Sequence, residues 1–185
     1  MGNYKESIAI IIPALDPDER MVSLVGQLHD DGFSNIILVD DGSLIANRKY
    51  FKTCKETCHC KIIRHVVNFG KGIALKSAFN YILEQRPDIK GAVTVDCDGQ
   101  HVLTDINTCA KLTYEHPDSL ILGCRQFDDK EIPLRSRFGN KLTRQMIRLL
   151  CGIHVSDTQT GLRGLPTPLI REHFANVKGE RFEYE

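Results

Sequence analysis

The sequence predicts an α/β domain built on a mostly parallel central sheet, and three observations predict it. Five short runs rich in Ile, Val and Leu, at 8–12, 36–39, 62–67, 92–95 and 120–122, alternate with segments of helical periodicity. Two of these runs, Ile8-Ala-Ile-Ile-Ile12 and Ile36-Ile-Leu-Val39, are apolar at successive rather than alternate positions, as strands covered on both faces are. Polar, glycine-bearing loops follow the runs, and in a parallel sheet such loops leave one edge, where ligands collect.

Helices are expected at roughly 18–31, 44–54, 72–85, 103–115, 135–151 and 167–175. Leu24 and Leu28 mark one core face, Ala74, Ala78 and Ile82 a second, and Leu142, Met146 and Leu149 a third, all at helical spacing. No internal repeat, low-complexity tract or Gly/Pro/Ser-rich linker interrupts the chain, so residues 1–185 are expected to form one domain.

Composition narrows the function. The 185 residues carry 24 Lys+Arg against 24 Asp+Glu, a balance that argues against general nucleic-acid binding. With 42% hydrophobic and 26% charged residues the chain is globular, and its longest clearly apolar run, 8–12, is far too short to span a bilayer. The N-terminus has no apolar leader core, so a cytoplasmic start is expected. Seven cysteines, an odd number, suggest reduced thiols; Cys54, Cys58 and Cys60 with His59 match no established zinc spacing.

The candidate chemistry sits at strand ends. Asp96 and Asp98 are two apart after Val93-Thr-Val95, so a continuing extended backbone would aim both carboxylates at one point. Like charges that close call for a cation, and Mg²⁺ or Mn²⁺ prefers oxygen ligands; Gln100 could add a neutral oxygen and His101 could orient a ligand. A solvated acidic turn is the competing reading. Asp40 and Asp41 leave the second strand before Gly42-Ser43; an Asx turn with Ser43 capping the next helix accounts for the turn, and a remaining carboxylate could accept from a nucleobase or ribose.

Asn68-Phe-Gly-Lys-Gly72 resembles a phosphate-cradling loop opening a helix, without Walker A or Gly-x-Gly-x-x-Gly spacing; Lys71 is its candidate ligand group, and a simple glycine turn is the alternative. From 135 to 148 the chain carries Arg135, Arg137, Lys141, Arg144 and Arg148 with no acid, a basic amphipathic pattern suited to a phosphate or an anionic membrane. The first three stand near a helix start, where basic residues need a reason. Asp157-Thr-Gln-Thr-Gly-Leu-Arg163 offers Asp157 as a base and Arg163 as a phosphate ligand if it folds over the cleft.

In order along the chain, Ile10-Ile-Ile-Pro-Ala14, Val39-Asp-Asp-Gly-Ser43, Asn68-Phe-Gly-Lys-Gly72, Asp96-Cys-Asp-Gly-Gln-His101, Gly123-Cys-Arg125 and Asp157-Thr-Gln-Thr-Gly-Leu-Arg163 resemble the successive motifs of inverting GT-A glycosyltransferases, especially the dolichyl- or polyprenyl-phosphate mannose and glucose synthases. The resemblance implies a GT-A, Rossmann-like sandwich, a UDP- or GDP-sugar donor, and Mg²⁺ or Mn²⁺ held by Asp96, Asp98 and Gln100. It implies donor contacts from Pro13, Asp16, Asp41, Lys71 and Asp96, catalytic roles for Asp98, Asp157 and Arg125, and acceptor contacts from Arg135, Arg137, Lys141 and Arg163. The acceptor expected is a polyprenyl or dolichyl phosphate at the cytoplasmic membrane face. Members of this family often continue past the motif that Arg181-Phe-Glu-Tyr-Glu185 resembles, so the chain is expected to be a catalytic domain shortened at its C-terminus, either peripheral on the membrane or cut from a membrane-anchored protein.

One departure stands out: where the family reads Pro-Ala-Tyr-Asn-Glu, this chain has Pro13-Ala-Leu-Asp-Pro17. It supports a competing reading as a metal- and nucleotide-binding module without turnover. A sugar-nucleotide nucleotidyltransferase is a further alternative, though the Gly-x-Gly-Thr-Arg loop it calls for is absent.

Overall fold

In the computed structural model, which describes residues 3–123 and 161–173, a six-stranded sheet carries helices on both faces. The elements are α1 (Tyr4–Ser7), β1 (Ile8–Ala14), α2 (Glu19–Asp30), β2 (Ile36–Asp40), α3 (Arg48–Cys58), β3 (Lys61–Arg64), α4 (Lys71–Gln85), β4 (Gly91–Thr94), α5 (Leu103–Glu115), β5 (Ile121–Leu122), β6 (Arg163–Pro166) and α6 (Thr167–His173). Strand order is β3-β2-β1-β4-β6-β5. Strands β1 to β4 pair in parallel, so the α/β reading and the parallel sheet stand.

All seven residues of β1 are buried, as its unbroken apolar run requires. Ile8, Ile10 and Ile12 join Met21, Val25 and Leu28 of α2, Phe51 of α3 and Ile106 of α5 on one face. On the other, Ala9 and Ile11 meet Ala74, Ala78, Phe79 and Ile82 of α4. Each fully buried Ile or Phe contributes about 1.5–3 kcal/mol relative to exposure. The predicted faces of α2 and α4 are therefore core faces; the third, at 142–149, lies outside the described residues.

Several expectations needed correction. Strand β6 was not foreseen: it pairs antiparallel with both β4 and β5, and its sequence, Arg163-Gly-Leu-Pro166, carries two residues that weaken strands. Gly164 belongs there because a Cβ would strike the Thr113 hydroxyl of α5. The run expected as strand to 67 ends at Arg64, and Val66 and Val67 stand exposed. The helix expected at 44–54 is a 3₁₀ turn, Ile45–Asn47, followed by α3 reaching Cys58. Ser43 caps no helix; its hydroxyl accepts the Asp16 N–H at 2.9 Å. Burial pushes the Cys54 thiol up to about 11 and the Cys60 thiol up to about 12, so both are neutral at pH 7. Among the described residues no helix is long and apolar enough to cross a membrane.

Candidate active site

Parallel pairing in register brings the ends of β1, β2 and β4 to one edge, Ala14 lying beside Asp40 and Ile11 beside Thr94. There the first loop is tied to the second. Asp16, at φ +50°, accepts from the Leu44 N–H at 2.8 Å and the Asn47 amide at 3.0 Å, while its own N–H goes to Ser43. Asp16 thus joins two loops, and it does not line the cleft beside them; Pro13, Ala14 and Leu15 do.

The two aspartates at the end of β2, Asp40 in its last position and Asp41 just after it, both have structural work. Asp40, fully buried, accepts from the Ser43 N–H three residues on at 2.9 Å and from Arg64 Nε at 2.7 Å. Asp41 reaches forward to the third loop, taking the N–H groups of Phe69 at 3.0 Å and Gly70 at 2.8 Å. His65 Nδ1 lies 2.7 Å from the same carboxylate, and its Nε2 lies 2.9 Å from Ser77 Oγ on α4. Three of about four acceptor positions on Asp41 are therefore used within the protein. Gly42, at φ +83°, lets this happen: a Cβ there would overlap the backbone of Val67 and Asn68.

The fourth strand end carries the charge. The extended backbone stops at Thr94, and the chain turns at Cys97 and Asp98, with Asp98 Oδ1 accepting from the Gln100 N–H at 3.0 Å and Gly99 at φ +75°. The expected alignment of Asp96, Asp98 and Gln100 along one extended stretch is replaced by an Asx turn: Asp96 and Asp98 line the same cleft, and the Gln100 side chain is exposed outside it. Lys71, at the start of α4, donates to Asp96 Oδ1 at 2.8 Å, and His101 Nε2 lies 3.4 Å from Oδ2. The His101 ring, and then the Lys71 ammonium, hold the Asp96 carboxyl well below the usual carboxylate range against the opposing effect of burial. Burial and the two flanking carboxylates push the Cys97 thiol up, which keeps it neutral.

Gly161 closes over Asp96. A Cβ at this position would collide with the Asp96 carboxylate, and the Gly161 carbonyl accepts from the buried Thr94 hydroxyl at 2.8 Å. Thr94→Val strips that carbonyl of its partner and is expected to cost about 1–3 kcal/mol in urea unfolding; an unchanged midpoint would mean the contact contributes nothing. Arg163, two residues on, begins β6 opposite Thr94 and Leu122. Arg125, Arg135, Arg137, Lys141 and Asp157 lie outside the described residues.

The result is a cleft of about 380 Å³ into which Pro13, Asp41, Asn68, Lys71, Asp96 and Asp98 face. Sequence reasoning passed over His65, Asn68 and Gly161 as individual residues. His65 directly follows β3 and Gly161 lies in the Thr-Gly-Leu-Arg motif, so strand-end position was the signal for both.

The donor chemistry fits Mg²⁺ or Mn²⁺. Asp96 and Asp98 offer hard carboxylate oxygens to one cleft, and each carboxylate keeps lone pairs beyond those its protein partners use. No group of three His, Cys, Asp or Glu side chains is gathered for a metal among the described residues. Two carboxylates would therefore form the protein's share, with the Lys71 ammonium beside Asp96.

The profile of glycosyl transferase family 2 matches residues 10–174. An uncharacterized protein of Methanocaldococcus jannaschii is 30% identical over 182 residues, 97% of this chain and 72% of that protein. The UDP-N-acetylglucosamine–dolichyl-phosphate N-acetylglucosaminyltransferase of Methanococcus voltae is 30% identical over 192 residues, 95% of this chain and 76% of the enzyme. Among solved structures, the glucosyl-3-phosphoglycerate synthase of Mycobacterium tuberculosis in complex with Mn²⁺, UDP-glucose and phosphoglyceric acid superposes with a TM-score of 0.62 at 17% identity, over 89% of this chain and 58% of that one. S. aureus TarS gives 0.60 at 15% identity, over 96% of this chain and 53% of that one. The chain thus spans little more than half the length of these solved chains, and at such identities the likeness is one of fold.

Proposed function

The chain belongs to glycosyl transferase family 2, and from that premise we propose that it moves a sugar from a nucleotide-diphosphate donor to a polyprenyl or dolichyl phosphate, with inversion at the anomeric carbon. The observation that carries the proposal is the convergence of three strand-end carboxylates, Asp41, Asp96 and Asp98, with Lys71 in one cleft. In this reading Pro13 and Asp41 frame the nucleoside, Asp41 chiefly by fixing the Phe69-Gly70 backbone, and Asp16 holds the adjoining loop. Lys71 meets the diphosphate. Asp96 and Asp98 hold the divalent ion, with Gln100 as a further oxygen if its turn rearranges.

Charge dictates the rest. As the anomeric bond breaks, negative charge grows on the departing diphosphate, and groups that bind it more strongly in the transition state accelerate the step. A bound Mg²⁺ or Mn²⁺ supplies Lewis-acid stabilisation of that leaving group. Lys71 contributes a fixed positive charge, and Arg125 a second one in this reading. A lipid phosphate is already ionised at neutral pH, so its attack needs positioning by Arg135, Arg137, Lys141 and Arg163 rather than a base; Asp157 becomes the base only for a hydroxyl acceptor. The Methanococcus voltae enzyme, named for a dolichyl-phosphate acceptor, supports the lipid choice.

Calorimetric titration with UDP- and GDP-sugars, with and without Mn²⁺, tests this. Metal-dependent binding of one donor is expected, weakened at least tenfold by Asp96→Ala and by Asp98→Ala. Absence of binding to every donor in the presence of Mn²⁺ would turn the assignment toward a module without turnover.

A further inference from the structure

A second cavity, of about 530 Å³, lies between α3 and the edge strand β3, and among the described residues its polar lining is wholly cationic: Arg48, Lys49, Lys52, Lys55 and Arg64. Arg48, Lys52 and Lys55 fall at i, i+4 and i+7, on one face of α3. Two neighbouring acids answer them only in part. Asp40 takes Arg64 Nε at 2.7 Å, and Glu56 sits 3.7 Å from Lys52 with both side chains mostly exposed. Among the described residues no hydrogen-bond partner meets the buried Arg48 Nε, a cost that folded proteins seldom leave standing. The first turn of α3 holds Arg48 and Lys49 and no acid, which sets positive charge against the positive end of the helix dipole. Such a groove is built to receive anions.

Beside it the surface is apolar. Among the described residues every exposed large hydrophobic side chain except Leu120 sits in a loop leaving the C-terminal edge of the sheet: Leu15, Leu44, Ile45, Val66, Val67, Phe69 and Val102. Ile45, 81% exposed, begins the 3₁₀ turn that leads into α3, and Val66, 88% exposed, follows Arg64 by two positions. Exposed aliphatic groups concentrated on one rim mark an interaction surface, and their adjacency to clustered Lys and Arg is the signature of proteins that rest on anionic bilayers.

We propose that the α3–β3 groove and the apolar rim next to it form a docking surface for an anionic lipid membrane, with headgroup phosphates entering the groove and Ile45 and Val66 entering the interface. The candidate active cleft opens on the same edge, so docking here holds it next to the bilayer. The proposal deepens the lipid-acceptor reading given above, yet it is testable apart from it, since vesicle binding needs no donor and donor binding needs no vesicle.

The test is co-sedimentation of the 185-residue chain with phosphatidylcholine vesicles, with and without phosphatidylglycerol, at low and high salt. Binding is expected to need phosphatidylglycerol and to weaken with salt. Each basic residue near an anionic surface is worth roughly a fivefold change in partitioning, so Lys49→Gln, Lys52→Gln and Lys55→Gln together are expected to lower it about 100-fold. Ile45→Asp with Val66→Asp should lower it as well. An unchanged melting curve in both variants shows that the loss is not unfolding, and donor titration of the triple variant reports separately on the cleft. Three outcomes overturn the proposal: no binding of the unaltered chain to phosphatidylglycerol vesicles, equal binding by the triple variant, or saturation of the groove by inorganic phosphate with no vesicle binding.

Discussion

Asp96→Asn is expected to lower the rate of sugar transfer by about a thousandfold, the loss typical when a main electrostatic stabiliser of a developing charge is removed. The exchange nearly conserves volume, so the close seat beneath Gly161 is retained, while the ion pair between Lys71 and Asp96 is lost and the cleft loses one of its two candidate metal carboxylates. Initial rates with donor and acceptor at saturating Mn²⁺ measure the effect. A variant retaining even a tenth of the activity would remove Asp96 from the machinery. The pH dependence follows from the same contacts. Because His101 and Lys71 depress the folded-state pKa of Asp96, the carboxylate is ionised throughout the neutral range and its titration shapes no rate profile there. Its contribution to stability is fully present above the unfolded value of about 3.9, and it is lost as pH falls from there toward the depressed folded value. In Asp96→Asn that acid-side loss should shrink.

Gly42→Ala is expected to cost roughly 3–5 kcal/mol and to lower the melting temperature by about 10 °C. Two penalties add. A side chain at φ +83° is strained by itself, and the new Cβ would run into the Val67 and Asn68 backbone, which cannot swing aside as a flexible side chain would. The Asp40 turn and the Asp41 bridge to Phe69 and Gly70 flank this residue. Donor binding should therefore fall with stability, even at temperatures where the variant stays folded. Scanning calorimetry and donor titration on one preparation would measure both; a melting point within two or so degrees of the unaltered chain would show that the loops separate freely.

Strands β1, β2 and β4 and helices α4 and α5 were legible because burial on both sheet faces writes itself as unbroken apolar runs and helical stripes. β6 was hidden because Gly164 and Pro166 read as strand breakers, while Gly164 is there for close packing against Thr113, which propensity does not see. The end of β3 was overrun because Val66 and Val67 look like core yet face outward. At the cleft, strand-end position singled out Asp41, Lys71, Asp96 and Asp98, all of which line it. What remained invisible was how the loops hold one another: Asp41 serves backbone N–H groups 28 and 29 residues away, and Asp16 serves a loop 28 residues away, contacts that exist only after the sheet has set the register. The expected in-line display of Asp96 and Asp98 failed for a local reason, the Asx turn onto Gln100.

The placement of β6 also bears on how the chain acquires its shape. Its hydrogen bonds fill the flank of β4, and the Thr94 hydroxyl waits for a carbonyl 67 positions later. During synthesis, β1 to β4 can pair in order as they emerge, but one border of that four-stranded assembly stays open until residues near 166 have left the ribosome. Long-range closure of this kind is slow, and an unpaired strand border is where nascent chains associate wrongly. Sequence changes around Gly164 therefore act on the yield of folded protein as well as on its equilibrium stability.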